Sequence, residues 1–274
     1  MICLKDVNVV IFVLLESQLF MDNNQTGIII QARTGSVRLP GKMIMPFWKS
    51  KSLLELLLLN FIEDAGNLPV VVATTNSDKD NELVAICNRL EVPVYRGDEE
   101  DVLSRFIGAA ESYDFKTVIR VCADNPFFDL PSSLMLVKKL NESNADYSGF
   151  LIGGKPSIKT HIGLWGEAVT VNALKKAAIL TQEKIYREHV TNFIYSNPEN
   201  FSLVFSDAPY GLSDRTDLRF TLDTASDFEL YVRILDLLLP SGSGTRNIPK
   251  LIELVDNKAE FLVTMREQIV ANNK

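Results

Sequence analysis

The chain has 274 residues, 46% of them hydrophobic and 23% charged, with a formal net charge of −7. A chain of that length buries a full core without disulfide or metal staples, and its acidic balance argues against a nucleic-acid surface, which needs a basic face and a high pI. Cys3, Cys87 and Cys122 are too few and too scattered for a disulfide framework or a Cys-Cys metal pair, and they fit a reducing cytoplasm.

Residues 1–25 read as an N-terminal extension of a single domain over 26–274. Residues 9–15 form an unbroken apolar run, too short for a bilayer that needs about 20. Lys5 is followed at once by Asp6 and no small-residue cleavage site precedes Met21, so a signal peptide is not expected. No membrane insertion is expected either, and Met21 offers an alternative start just ahead of the first strand.

The apolar run at 27–30 predicts that strand, and QARTGSVRLPGK at 31–42 follows it as a basic, glycine-containing loop. The leucine-dense stretch 52–65 predicts a largely buried helix, and the β-branched run 69–74 a second strand. Ser77-Asp78 offers an N-cap for a helix to Leu90. A short strand at 92–95, a helix at 99–113 and a strand at 117–122 follow, then a helix from Pro131 to about Asn141. This alternation predicts βαβ units, a mostly parallel sheet and helices on both faces. Beyond it the rhythm changes, with strands expected at 147–150, 163–171, 201–205 and 218–222. The region at roughly 147–215 reads as a lid or dimerisation insertion on the sheet. Helices at 226–239 and 248–271, the latter interrupted near Asp256, close the chain.

Loop 31–42 has neither P-loop spacing nor the three-glycine dinucleotide pattern. It reads as a phosphate grip, in which Arg33, Arg38 and Lys42 supply positive charge and the glycines allow close approach, or as a solvated turn. Asp124 lies just past the end of a predicted strand, where ligands bind in open α/β sheets. It could hold a metal, or simply cap the Asp-Asn-Pro turn. Asp223 also ends an apolar strand, whereas Asp227 suits the first turn of a helix. Arg187, Glu188 and His189 could orient an acidic ligand, but helical neighbours point in different directions, and a polar cluster that anchors the fold fits as well. Two histidines without a cysteine cluster argue against a zinc site.

The order of these segments carries a family resemblance. Gln31-Ala32-Arg33, Gly35-Ser36 and Arg38-Leu39-Pro40-Gly41-Lys42 resemble the opening motif of the cytidylyltransferases that make CMP-activated acidic sugars. The resemblance is greatest to the spore-coat polysaccharide biosynthesis protein F branch, which is similar to CMP-Kdo and CMP-sialic acid (acylneuraminate) synthetases. RGDEEDVLSRF at 96–106, RVCADNPFFD at 120–129, YREHVTNFIY at 186–195 and LRFTLDTASDFEL at 218–230 match in the same order, so the resemblance covers roughly 26–236. Ala123 stands where many relatives have glycine. His161-Ile162-Gly163-Leu164-Trp165 is similar to a CMP-Kdo synthetase segment near the sugar and dimer contacts, but departs from the spore-coat type.

The resemblance implies a Rossmann-like nucleotidyltransferase fold, a cytoplasmic homodimer, and Mg²⁺ held by Asp124 and Asp223. It implies a nucleotide site of Ala32, Arg33, Gly35, Ser36, Arg38 and Lys42, with Arg33, Lys42 and Asp124 catalytic. Arg187, Glu188, His189 and His161 would meet the sugar. The expected reaction transfers CMP from CTP to an acidic sugar, nonulosonic acid or Kdo-like, for surface polysaccharide biosynthesis. The alternatives are a nucleotidyltransferase acting on a sugar phosphate and a nucleotide-sugar-binding glycosyltransferase.

Overall fold

The computed structural model describes residues 25–239 and 247–272, so the reading of the N-terminal extension, its apolar run and its alternative start lies outside the described residues. The first half of the chain runs β1 (Thr26–Gln31), a small hairpin β2 (Pro46–Trp48) and β3 (Lys51–Ser52), α1 (Leu53–Asp64), β4 (Val70–Thr75), α2 (Asn81–Arg89), β5 (Val94–Gly97), α3 (Val102–Ser112) and β6 (Thr117–Cys122). The second half runs α4 (Leu130–Glu142), β7 (Tyr147–Ile152), β8 (Lys155–Pro156), β9 (Glu167–Thr170), α5 (Val171–Leu180), α6 (Lys184–Glu188), α7 (Asn192–Ser196), β10 (Leu203–Asp207), α8 (Ala225–Leu238), α9 (Ile248–Asp256) and α10 (Ala259–Ala271).

Ile28, Ile29 and Ile30 of β1 are fully buried. A strand covered on both faces carries a continuous apolar run instead of alternation, and β1 lies inside the sheet order β10-β7-β9-β6-β1-β4-β5. β1 pairs in parallel with β4 and β6, and β5 continues parallel beyond β4. β9 runs antiparallel between β6 and β7, while β10 is parallel to β7. Two apolar layers cover the two faces, one built around Leu54, Leu57 and Leu58 of α1, the other around Phe106 of α3 and Leu174 of α5. The mostly parallel α/β sheet with helices on both faces is therefore as expected. The strands β7, β9 and β10, from the segment read as an insertion, are hydrogen-bonded into this same sheet.

Two strand expectations need correction. Residues 218–222 form no strand. Leu218, Phe220 and Leu222 are buried, but so are Arg219 and Thr221. The segment threads between two loops, donating from Phe220 N to the His161 carbonyl at 2.9 Å and from Leu222 N to the Asp124 carbonyl at 2.8 Å. Apolar alternation records burial on one side and says nothing of what lies opposite. The strand expected at 163–171 is confined to Glu167–Thr170, because Gly163 has φ +57°, and a Cβ there would lie 2.9 Å from the Phe220 backbone. No helix among the described residues is long and apolar enough to cross a membrane.

Candidate active site

The loop after β1 is tied down from an unexpected direction. Thr34 donates from N and Oγ1 to Asp80 Oδ1 at 2.8 and 2.7 Å, and Asp80 Oδ2 accepts from Thr74 Oγ1 at 2.9 Å and Thr75 N at 3.2 Å. Burial alone would raise the Asp80 carboxyl, but the hydrogen bonds from Thr75, Thr34 and Thr74 outweigh it and hold the pKa below the ordinary carboxylate value. Asp78-Lys79-Asp80 has the Asp-x-Asp spacing of a glycosyltransferase metal motif, yet its second carboxylate is spent on anchoring this loop. Of the loop glycines, Gly41 needs its identity for the backbone, with φ +71°, whereas a Cβ on Gly35 would make only an ordinary 3.6 Å contact with Glu99.

Gly41 turns Lys42 back beneath the loop. The residue is 8% exposed, and Nζ donates to Asp124 Oδ2 at 3.1 Å, Asp223 Oδ1 at 3.3 Å and the Leu222 carbonyl at 2.6 Å. Burial disfavours the ammonium, but the charges of Asp124 and Asp223 more than offset it, and the pKa rises. Asp124 follows β6 directly and Asp223 is delivered by the threaded segment, so the two carboxylates, far apart in sequence, converge on one point. Asp223 also pairs with Arg38 Nη2 at 2.9 Å and Arg219 Nη2 at 3.2 Å.

Arg33, Arg38, Lys42, Asp124 and Asp223 line a cavity of about 400 Å³ together with Ala32, Gly35, Ser36, Glu188 and His189. A second cavity of about 470 Å³ shares Arg38, Arg120, Cys122, Asp124 and His189 with it and extends to Lys159, Trp165 and Tyr195. Cys122 is only half-buried and lines both cavities. Cys87 is the buried one, its thiol pushed by burial up to about 12.

Two residues expected at the sugar line neither cavity. Arg187 donates from Nε to Asp101 Oδ2 at 2.9 Å, pairs with the same carboxylate through Nη2, and reaches the Ala178 carbonyl at 3.2 Å. It is a brace between α6 and the Asp101 cap of α3, outside both cavities. His161 is 7% exposed, with its ring against the Arg219 guanidinium. Arg219 in turn bonds Asp227 twice at 2.7 Å, and Asp227 closes the capping box of α8 with Thr224. Asp227 is thus structural, as expected, and His161 belongs to the same buried cluster.

Other polar groups were missed. Arg120, in the middle of β6, pairs with Glu167 at 2.6 Å and reaches Gln31 Oε1 at 3.3 Å, while Glu167 also accepts from Tyr147 at 2.6 Å and from Thr191 at 2.9 Å. An arginine inside an apolar strand was the available signal, because a buried cation requires a partner. Arg105, 1% exposed, keeps Nε and Nη2 without a hydrogen-bond partner. Burial, then the charge of nearby Arg33, pushes its pKa down.

Comparison with known proteins places this geometry in context. A family model described as Cytidylyltransferase matches residues 27–254. The chain is 38% identical over 206 residues to the uncharacterized protein MJ1063 of Methanocaldococcus jannaschii, covering 75% of this chain and 81% of that one. It is 33% identical over 213 residues to the spore coat polysaccharide biosynthesis protein SpsF of Bacillus subtilis, covering 75% and 84%. The solved structure of a cytidylyltransferase from Leptospira borgpetersenii serovar Hardjo-bovis superposes with a TM-score of 0.76 at 25% identity, over 88% of this chain and 97% of that one. The sheet and its helices are those of the Rossmann-like nucleotidyltransferase fold.

Proposed function

Because the chain belongs to the cytidylyltransferase family, and so is a nucleotidyltransferase, we propose that it transfers CMP from CTP to the hydroxyl of an acidic sugar, of the nonulosonic acid or Kdo-like class, in polysaccharide biosynthesis. The observation that carries this reading is the convergence of Lys42, Asp124 and Asp223 beneath the basic loop in the first cavity, with Asp124 also lining the second. The first cavity takes the nucleotide and the second the acceptor.

In the reaction the acceptor hydroxyl oxygen bonds to the α-phosphorus and gives up its proton to solvent, while the bond from that phosphorus to the α–β bridging oxygen breaks and pyrophosphate leaves. Such a displacement is driven by positioning and by neutralisation of developing charge. Arg33 and Arg38 face the triphosphate from the loop, and Lys42 offsets the two carboxylates at the floor of the site. Ala32, Gly35 and Ser36 form the loop wall, and Glu188 and His189 close the side towards the acceptor.

The donor set fits Mg²⁺, which is commonly held by one or two carboxylates together with phosphate oxygens and water. No group of three or more metal-binding side chains occurs among the described residues, so Asp124 and Asp223 would hold the ion. Asp124 is the better placed: its side chain is 29% exposed, against 6% for Asp223, whose two oxygens are engaged by Lys42, Arg38 and Arg219. When bound, the ion would supply further neutralisation of the phosphate oxygens.

The acid group of the acceptor needs a cation other than Arg187. Lys159 lines the second cavity, with Nζ 5.3 Å from the Tyr195 ring centre, and no carboxylate among the described residues pairs with it. Arg120 lines the cavity too, but its charge is balanced by Glu167. Lys159→Met is therefore expected to raise the KM for the acidic sugar several-fold and leave that for CTP nearly unchanged. Arg187→Met is expected to lower the melting temperature with little change in either constant. A rise in the acceptor KM for Arg187→Met but not Lys159→Met would return the acid group to α6.

Pyrophosphate release with each nucleoside triphosphate in turn, against a panel of acidic sugars and sugar phosphates in Mg²⁺, tests the whole reading. CTP with an acidic sugar is the expected pair. Turnover with sugar phosphates alone would favour the sugar-phosphate nucleotidyltransferase.

A further inference from the structure

The family match ends at residue 254, but α10 lies beyond it and its last turn reaches the active-site loop. Phe261 and Met265 are fully buried and hold this helix to the domain. At its end a closed polar ring forms. Thr224 Oγ1 donates to Gln268 Oε1 at 2.9 Å. Asn272 Nδ2 donates to the Gln268 carbonyl at 2.9 Å and to Gln268 Oε1 at 3.3 Å. Asn272 Oδ1 then accepts from Arg38 Nη1 at 2.9 Å, and Arg38 Nη2 meets Asp223 Oδ1 at 2.9 Å. Asp223 adjoins Thr224 in the chain, which completes the circuit.

We propose that Asn272 is a positioning residue for Arg38, and that the end of α10 is thereby part of the nucleotide site. This rests on the reading of the loop as the triphosphate grip. Arg38 needs such help: its side chain is 49% exposed, and it follows Val37, which is 94% exposed at the loop tip. An arginine side chain free in solvent loses rotamer freedom when it engages a ligand, and a side chain already held in place loses less. A guanidinium has five N–H donors, so the two bonds to Asn272 and Asp223 leave three for phosphate oxygens. Asn272 Nδ2 is occupied by Gln268, which fixes the carboxamide with its oxygen toward Arg38. Asn272 also lines the second cavity, so it stands where nucleotide and acceptor meet.

The test is a double-mutant cycle read by CTP binding to the full chain, with melting temperature measured alongside. Asn272→Ala is expected to weaken CTP binding roughly fivefold to tenfold, in keeping with the ordinary net loss of one hydrogen bond, while melting close to the parent. Arg38→Met is expected to weaken it at least as much, and adding Asn272→Ala to Arg38→Met to change it less than about twofold, because the two act through one guanidinium. Parent-like binding by Asn272→Ala, or full additivity with Arg38→Met, would overturn the proposal and leave the loop reading intact. Parent-like binding by Arg38→Met would overturn both.

Discussion

Lys42→Met is expected to lower kcat by about 10²–10³-fold, the scale for losing one preorganised charge contact at a reacting centre. Methionine keeps most of the stem and removes only the ammonium. That ammonium lies within 3.3 Å of both Asp124 and Asp223, so its loss leaves two carboxylates facing each other and a site more negative where a triphosphate must enter. The parent should show no titration of Lys42 between about pH 6 and 9, since its pKa is raised above the free-lysine value of about 10.4; the ammonium's contribution is complete below that value and is lost only as pH rises through the higher folded one. Single-turnover pyrophosphate release across that range, well below the melting temperature, separates a catalytic loss from an unfolding one. Turnover equal to the parent's would make Lys42 an internal counterion and nothing more.

The parts of this site that could be read from sequence are those fixed by local position. A loop that follows a strand and an aspartate that follows a strand must lie at the same rim of a parallel sheet, which is why the loop residues and Asp124 line one cavity. Arg187 shows the limit. Its helical neighbours were visible, but Asp101, which claims its guanidinium, lies 86 residues away, and nothing in the local spacing announces it. His161 is decided in the same way by Arg219, 58 residues on. Asp80 sits behind a more ordinary signal: Ser77 and Asp78 supply a good helix start, and nothing in the local spacing marks the carboxylate two residues further on that anchors Thr34, 46 residues away. Arg120 was legible in principle, since its apolar strand gave it no solvent to reach.

Arg219→Met should have the largest effect on stability, a loss of about 3–5 kcal/mol, as when one partner of a buried ion pair is removed, which for a domain of this size is a melting-temperature drop on the order of 10 °C. Arg219 has no exposed side-chain surface and is bonded twice to Asp227, which is 1% exposed. Its backbone oxygen also accepts from Tyr231 Oη at 3.0 Å, so the threaded segment carrying Asp223 is fixed from both sides. Burial would raise the Asp227 carboxyl, but the hydrogen bonds and charge of Arg219 outweigh it and hold the pKa below the ordinary value. The sign of the pH dependence follows. In the parent, the stability from ionised Asp227 is present above the unfolded carboxylate pKa of about 3.9 and fades as pH falls through the lower folded value. Without the guanidinium, burial dominates and the folded pKa rises. The stability gap between parent and variant should therefore be widest near neutral pH and narrow as pH falls below that of the variant's carboxyl. Asp223 would lose one of its three cations in the same variant, so CTP turnover should fall even at temperatures where the variant is fully folded. Melting curves from pH 3 to pH 7 decide the point: a gap that stays constant across that range, or one under about 1 kcal/mol, would mean that Asp227 is held by the backbone donors of Asp223 and Thr224 alone, and that Arg219 fills space beneath the site without setting its charge.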